Sequence, residues 1–421
     1  MKFELFQKYS SPDTVLSFVL RLLHIVGMNG TGFRSRIRVG CIFLFYLIFL
    51  VTPPLTGGYT DGHQRVRASV EFLFNCNIYG GSMFFAYDVA TFQAFIQELR
   101  NLTVLVCSHS YRLKYKLTRF NRRADIIAKV QTTCMGAVTL FYWIAPIPSI
   151  CAHYYRSTNS TEPVRFVQHL EVKFYWLENR TSVEDYITFV LIMLPVVVMC
   201  GYVCNLKVMT ICCSIGHCTL YTRLTIEMVE QLESMASAER TASAIRNVGQ
   251  MHSGLLKCIR LLNTSIRSML MLQWLTCVLN WSISLIYLTN VGISLQSVTV
   301  VVMFFLATAE TFLYCLLGTR LATQQQLLEH ALYATRWYNY PIAFRSSIRM
   351  MLRQSQRHAH ITVGKFFPVN SSQFRLHANV SYSAILHHPL RLPLHVFARA
   401  MTITPGTIAR NDTAAAAAAV P

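Results

Sequence analysis

Apolar residues are gathered into long runs along this chain, and most polar ones fall between them. The runs cover Val39 to Leu55, Ala68 to Ala90, Ala128 to Cys151, Tyr186 to Met209, Ser268 to Leu288 and Val298 to Gly318. Each lies within the roughly 17–25 residues that carry an α-helix across a bilayer, so the pattern predicts six spans. The second run is mixed. Glu71, Asn75, Asn77 and Asp88 interrupt Phe72, Phe74, Tyr79, Phe84 and Phe85, and such residues inside a span face the bundle interior or a cavity. Spans five and six are separated only by a short Asn290-to-Gln296 turn, which predicts an antiparallel hairpin. Before the first span, Ser11-Pro12-Asp13 predicts the cap of a helix carrying Val15, Leu16, Phe18, Val19, Leu22, Leu23 and Ile25. It is too short to cross and is expected to lie at the interface or against protein.

After the sixth run the period changes. Pro341 suits the first turn of a helix, where its missing N–H costs nothing. Ile342, Ile348, Met351 and Leu352 then recur at helical spacing, while Arg345, Arg349, Arg353 and Arg357 form an i, i+4 row. Gly364 and Pro368 bracket Lys365-Phe366-Phe367 and break that helix. Asn370-Ser371-Ser372 offers caps for a further helix over about Phe374 to Leu386. Arg375, His377, Asn379, Ser381 and Ser383 make it too polar to face lipid. It is either a soluble tail helix or a seventh crossing that lines water.

Composition and charge give the runs a membrane and a direction. The chain has 421 residues, 53% hydrophobic and only 14% charged, with mean hydropathy +0.37; a soluble domain carries about a quarter charged. The net charge of +19 is not the basic face of a nucleic-acid binder, because the cations sit in loops between apolar runs. The N-terminal region and the loops after spans two, four and six are the basic ones, so the N-terminus is expected in the cytoplasm. With seven crossings the C-terminus is then extracellular. That orientation is inverted relative to G-protein-coupled receptors, and the Asp-Arg-Tyr and Asn-Pro-x-x-Tyr runs of that class are absent. The long outer loop, His153 to Ser182, lacks cysteine and carries glycosylation sequons at Asn159 and Asn179.

Little in the chain points to catalysis. Thirteen cysteines include no CxxC pairs; Cys204, Cys212, Cys213 and Cys218 read as buried thiols before acylation or metal binding. His358, His360, His377, His387 and His388 have no ligand spacing with carboxylates. No phosphate loop or nucleophile elbow appears, and no enzyme activity, cofactor or metal is expected. An apolar binding cavity has more to draw on. Phe72, Tyr79, Tyr142, Trp143 and Tyr186 fall in the outer halves of spans two to four, and Gly136, Thr139 and Trp143 share one face of span three. Aromatics at helical spacing are also ordinary packing or interface anchors.

The block from Tyr333 onward carries a resemblance. Tyr333, Trp337-Tyr338, Pro341, the basic helix from Arg345 to Arg357, Gly364-Lys365-Phe366-Phe367 and Ser381-Tyr382-Ser383 stand in the order of the C-terminal signature of insect odorant receptors. The chain resembles that family over residues 1 to about 386. The resemblance implies an all-α membrane protein of seven transmembrane helices with a cytoplasmic helical anchor region. It implies an odour-tuned subunit of a heteromeric ligand-gated cation channel, partnered by a shared co-receptor in a heterotetramer, at the plasma membrane of olfactory neuron dendrites. It further implies a pocket for a small volatile apolar molecule among spans two, three, four and six, with Asn75, Val190, Val298 and Val302 joining the residues above. His377, Ser381, Tyr382 and Ala384 would line the pore, and Trp337, Tyr338, Pro341, Arg345, Arg349, Gly364 and Phe366 would form the subunit anchor. The expected division is an N-terminal region (1–38), spans one to six (39–318), an anchor segment (319–363), the seventh span (364–386) and an atypical tail (387–421).

That tail departs from the family, which ends soon after Ser-Tyr-Ser. Here Pro389 halts the helix and the chain runs on to a string of alanines. From Asn370 to Leu386 a helix reaches only about 25 Å, short of the roughly 30 Å hydrocarbon core. No gate role therefore carries over onto His387 or Leu390. A misread final exon or an unusual splice form would account for the tail. The competing classes are a gustatory-type channel, disfavoured by the missing Thr-Tyr…Gln end, a transporter, disfavoured by the lack of internal repeat symmetry, and a membrane scaffold, which flux measurements would separate.

Overall fold

The computed structural model describes residues 8–30, 32–56, 59, 62–144, 147–148, 166, 168, 170, 174–178, 182–232, 238–292, 297–357, 359–376 and 379. The glycosylation candidates Asn159 and Asn179 and the pore candidates His377, Ser381, Tyr382 and Ala384 lie outside them. The chain divides into one unit through Phe374 and a second from Arg375 onward; the long helices and the small hairpin all belong to the first.

Residues Pro12–Thr14 make a single 3₁₀ turn, and the helix α1 (Ser17–Val26) starts only after Leu16, whose φ of +55° interrupts the expected run. Val19, Leu22, Leu23 and Val26 bury one face, and the Tyr202 hydroxyl donates to the Leu22 carbonyl at 2.9 Å. The segment is docked on protein. Helix α2 (Phe33–Tyr46) passes through a π-helical stretch, Leu47–Val51, into a last turn, Thr52–Thr56. Pro53 accounts for the widening. It has no N–H to give and its ring crowds the carbonyl four residues back, so the preceding turn opens.

The remaining long helices are α3 (Gly62–Tyr87), α4 (Val89–His109), α5 (Tyr111–Ile144), α6 (Val183–Gln231), α7 (Ala238–Val291) and α8 (Val298–Ala334). Four helical stretches are long and apolar enough to cross a membrane by composition, Phe33–Pro54, Val183–Gln231, Thr241–Val291 and Val298–Asn339. Helices α3 and α5 are too polar to meet that measure. At about 1.5 Å per residue, α6 and α7 reach well past twice the thickness of a hydrocarbon core. The basic segment from Arg112 to Arg123, which the apolar pattern leaves as a loop, is the first third of α5. Lys and Arg are good helix formers, and Leu113, Leu117, Asn121 and Ala128 bury a continuous face beneath them. The bundle thus extends as helix from its apolar part into a basic end, where these cations gather.

Helix α7 packs on α3 and α4, α6 on α8 and α5, and the short helix α9 (Ile342–Ser355) lies against both α7 and α8. Pro341 is the N-cap of α9. Ile348 and Met351 are buried and Arg345, Arg349 and Arg353 are exposed, as an amphipathic helix requires. Ile342 differs. It is 82% exposed, because six residues at about 100° each carry it roughly 120° around the helix from Ile348.

Beyond α9, β1 (Thr362–Val363) and β2 (Phe367–Pro368) pair antiparallel around Gly364, whose φ is +59°. The helix break is therefore a tight reversal. Its backbone is held on α7: Gly364 donates to the Arg267 carbonyl at 3.1 Å and Thr362 to Asn263 Oδ1 at 2.8 Å. Asn370 then caps a new helix that begins at Ser371, its Oδ1 accepting the Gln373 N–H at 2.9 Å.

Candidate functional site

At the end of the bundle opposite the basic one, the apolar core is mostly aromatic and methionine. Tyr46, Phe74, Tyr79, Phe174, Phe189, Met193, Tyr287 and Met303 are buried together, drawn from α2, α3, the long loop, α6, α7 and α8. Tyr46 and Tyr79 stack with centroids 4.4 Å apart, and Phe174 meets Phe189 edge-on at 5.7 Å. The Tyr46 hydroxyl donates to Cys76 Sγ at 3.3 Å. The Tyr79 hydroxyl is buried and has no hydrogen-bond partner among the described residues. A buried phenol without a partner costs roughly 1–3 kcal/mol. It is a strongly polar atom turned loose inside this cluster, and the chemistry it offers is a single hydrogen bond in apolar surroundings.

Beside it lies a smaller group. Phe166 stacks on Tyr186 at 4.5 Å, Val190 is buried with them, and Trp143 packs against this group while donating its Nε1 to the Val190 carbonyl at 3.2 Å. The loop is tied to α3 by Arg67, which donates to the Gln168 carbonyl at 3.0 Å and pairs with Glu71 at 2.9 Å.

Of the pocket candidates read from the sequence, Tyr79 and Tyr142 meet in the larger cluster and Trp143, Tyr186 and Val190 in the smaller. Asn75 sits beside them, its Oδ1 accepting from Cys200 Sγ at 3.5 Å. Thr139 is wedged against Gly201, where an added Cβ would collide with its Oγ1. Phe72 is half-buried on another face of α3. Gly136, Val298 and Val302 stand on exposed faces. Sequence reasoning overlooked Tyr46, Phe174, Phe189, Met193, Tyr287 and Met303, which look like any other span or loop residues until the helices are brought together.

It also overlooked a polar brace nearer the basic end. Lys207 of α6 and Glu310 of α8 pair at 2.7 Å with side chains almost wholly enclosed. Lys207 also donates to Gln273 of α7 at 2.8 Å and Asn77 of α3 at 3.3 Å. Gln273 donates on to Thr311 at 2.9 Å, and Tyr314 donates to Glu310 at 2.7 Å. Four helices are thereby joined through one buried charge pair. The available signal was a lysine and a glutamate each inside an apolar run, which marks an interior face.

The anchor candidates lie near the basic end. Trp337 sits in a 3₁₀ turn under Arg349, whose guanidinium is 5.8 Å from the ring centroid, and Arg345 donates to the Tyr340 carbonyl at 2.6 Å. Tyr338 and Phe366 are exposed, whereas Gly364 is fixed on α7. The start of the last helix is docked as well: Ser371 donates to Thr319 at 3.0 Å, and Phe374 packs edge-on against Trp281 at 5.7 Å and against Phe312 at 5.3 Å.

The sequence profile of the family described as 7tm Odorant receptor matches residues 67–382. This chain belongs to that family. Its fold is that of a solved relative: the olfactory receptor OR5 of Machilis hrabei covers 90% of this chain and is itself covered completely, with a TM-score of 0.65 at 14% identity. The same receptor solved in complex with eugenol gives 0.66, covering 89% of this chain and 98% of its own, again at 14% identity. The odorant receptor coreceptor of Anopheles gambiae is 25% identical over 147 residues, 34% of this chain and 31% of that protein. Odorant receptor 63a of Drosophila melanogaster is 28% identical over 149 residues, 34% and 35% of the two. The chain thus spans about a third of the length of the curated relatives it matches. As a member of this receptor family it is a multi-pass membrane protein and not an enzyme.

Proposed function

We propose that this odorant receptor family member is the odour-tuned subunit of a heteromeric ligand-gated cation channel, formed with the shared odorant co-receptor at the plasma membrane of olfactory sensory neurons. The observation that carries the reading is the buried aromatic cluster of α2, α3, α6, α7 and α8, with the Tyr79 hydroxyl inside it lacking a hydrogen-bond partner among the described residues. A small volatile molecule needs such a site: mostly apolar walls and one group to orient it. Met193 and Met303 make the cluster adaptable, because unbranched thioethers change rotamer at little cost. The solved complex of the Machilis hrabei receptor with eugenol supports a small organic ligand for this chain.

In this reading the basic end faces the cytoplasm, the long loop faces outward, and Asn159 and Asn179 are available for glycosylation. Trp337 to Phe366 anchors neighbouring subunits, and the helix that starts at Ser371 continues as the seventh crossing, presenting His377, Ser381, Tyr382 and Ala384 to water. Ligand and channel are linked through helices the two regions share: α7 and α8 contribute Tyr287 and Met303 to the cluster, and Trp281 and Phe312 to the bed of Phe374. A ligand that fits one arrangement of the cluster better shifts the population toward it.

The test is co-expression with the co-receptor against an odorant panel, reading inward current. The pair is expected to give odour-evoked current and this chain alone none. Robust current from the chain expressed alone would refute the tuned-subunit role.

A further inference from the structure

Between α5 and α6, at the basic end, a concavity of about 250 Å³ has Lys116, Arg119, Phe120 and Arg123 on one wall and Arg223 and Glu227 on the other. These positions recur at i, i+3, i+4 and i+7 on α5 and repeat every fourth residue on α6, so two helical stripes face each other. The Glu227 carboxylate is engaged on one side: Lys116 Nζ donates to its Oε1, while its buried Oε2 has no hydrogen-bond partner among the described residues. The guanidiniums of Arg119, Arg123 and Arg223 are exposed and have no carboxylate or hydrogen-bond partner among the described residues. Nearby Asp125 gives nothing to them, being paired with Lys129 at 2.8 Å. The cleft therefore holds a surplus of three positive charges around open space.

Repulsion among three guanidiniums is uncompensated among the described residues, and arginine forks match phosphate oxygens two at a time. The volume exceeds the about 150 Å³ that encloses a benzene ring, so a six-membered ring fits with its phosphates at the rim. Phe120, Leu220 and Leu224 supply the apolar part of the lining against which such a ring can rest. The apolar run of α5 begins at about Ala128, only one to three helical turns away, and basic clusters immediately beside a span are where phosphorylated lipid headgroups collect.

We propose that this cleft binds a ligand carrying clustered phosphomonoesters, of the phosphorylated inositol class. The same chemistry is offered by a membrane phosphoinositide and by a free inositol phosphate. The two sources are separable by experiment.

The full-length protein, reconstituted in phosphatidylcholine nanodiscs, is titrated with dioctanoyl phosphatidylinositol 4,5-bisphosphate and with soluble inositol 1,4,5-trisphosphate. Saturable binding of either is expected; tighter binding of the lipid assigns the membrane source, equal binding the soluble one. Each cation near an anionic ligand contributes about a factor of five, so Arg119→Gln, Arg123→Gln and Arg223→Gln together are expected to weaken binding about 100-fold. The same charge removed from α9 (Arg345→Gln, Arg349→Gln, Arg353→Gln) is expected to leave it unchanged. Glu227→Gln frees Lys116 to act as a fourth cation and is expected to tighten binding, which keeps the test decisive should the triple variant fold poorly. No saturable binding, equal loss from the α9 variant, or Glu227→Gln binding more weakly would each overturn the proposal.

Discussion

Lys207 and Glu310 share a problem that neither could solve alone. A charge at the centre of a membrane helix costs about 2.5–3.5 kcal/mol even by the mildest scale, and here two of them are almost completely enclosed. Their mutual attraction and the amides of Asn77 and Gln273 offset that cost. Removing one partner leaves the other charged and stranded, so Lys207→Met is expected to lower stability by about 3–5 kcal/mol. Lys207→Met with Glu310→Leu is expected to recover most of it in a melt of the purified protein. If the double variant melts as low as the single, the surrounding amides rather than the ion pair are what the fold needs. Tyr79 presents the opposite case, a polar atom left unmet among the described residues. Tyr79→Phe removes that penalty and is expected to raise the melting temperature while weakening the response to hydrogen-bonding odorants about tenfold, a loss of roughly 1.4 kcal/mol. Purely apolar odorants should keep their potency. An unchanged dose–response curve for both classes would remove Tyr79 from the ligand's surroundings.

At the scale of elements, the segment from Ile361 to Phe374 follows α9 and, in the function proposed above, joins six spans to a seventh. It is fixed at several points along α7 and α8, from Asn263 and Arg267 to Thr319 and Phe312. Gly318 is where the approach is closest: an added Cβ would collide with the Val369 carbonyl oxygen. Backbone cannot swing aside as a side chain does, so Gly318→Ala is expected to push this segment off α8 while α3 to α8 still fold. Surface biotinylation near the wild-type level with odour-evoked current reduced at least about tenfold is the expected pattern; normal current would show that the contact is dispensable. The sequence made the helices under the six apolar runs readable, because the cost of leaving lipid is local and each run records it; four of the helical stretches are long and apolar enough to cross a membrane. Their lengths were not readable. A helix that leaves the membrane keeps its backbone hydrogen bonds, and Arg112 to Arg123 continues α5 with residues that suit helix and loop equally. Pro341, Gly364 and Asn370 announced their turns because each needs a particular backbone geometry. The aromatic cluster and the Lys207 brace could not be assembled from one sequence, since their members sit in different helices and only packing decides which faces meet.

The molecule as a whole exposes apolar side chains where a protomer alone in water would hide them. Tyr338 is 59% exposed, Ile342 82% and Phe366 79%, all in the stretch that follows α8. Lipid does not explain Tyr338 or Ile342, because Arg336, Arg345 and Arg349 flank them and are exposed to water as well. In the proposed channel, burial against other subunits would account for them, at roughly 25 cal/mol per Å² of apolar area covered. The same side chains touch little within this protomer, so their removal should not disturb its own core. Tyr338→Ser, Ile342→Ser and Phe366→Ser combined are therefore expected to shift the stability of the isolated chain by no more than about 1.5 kcal/mol, surface changes being worth about 0.5 each. Co-purification with the co-receptor is expected to fall at least about tenfold, and odour-evoked current with it. The two readouts separate assembly from folding: a large drop in melting temperature would mean these residues hold the protomer together, and undiminished co-purification would place the subunit contact on another surface.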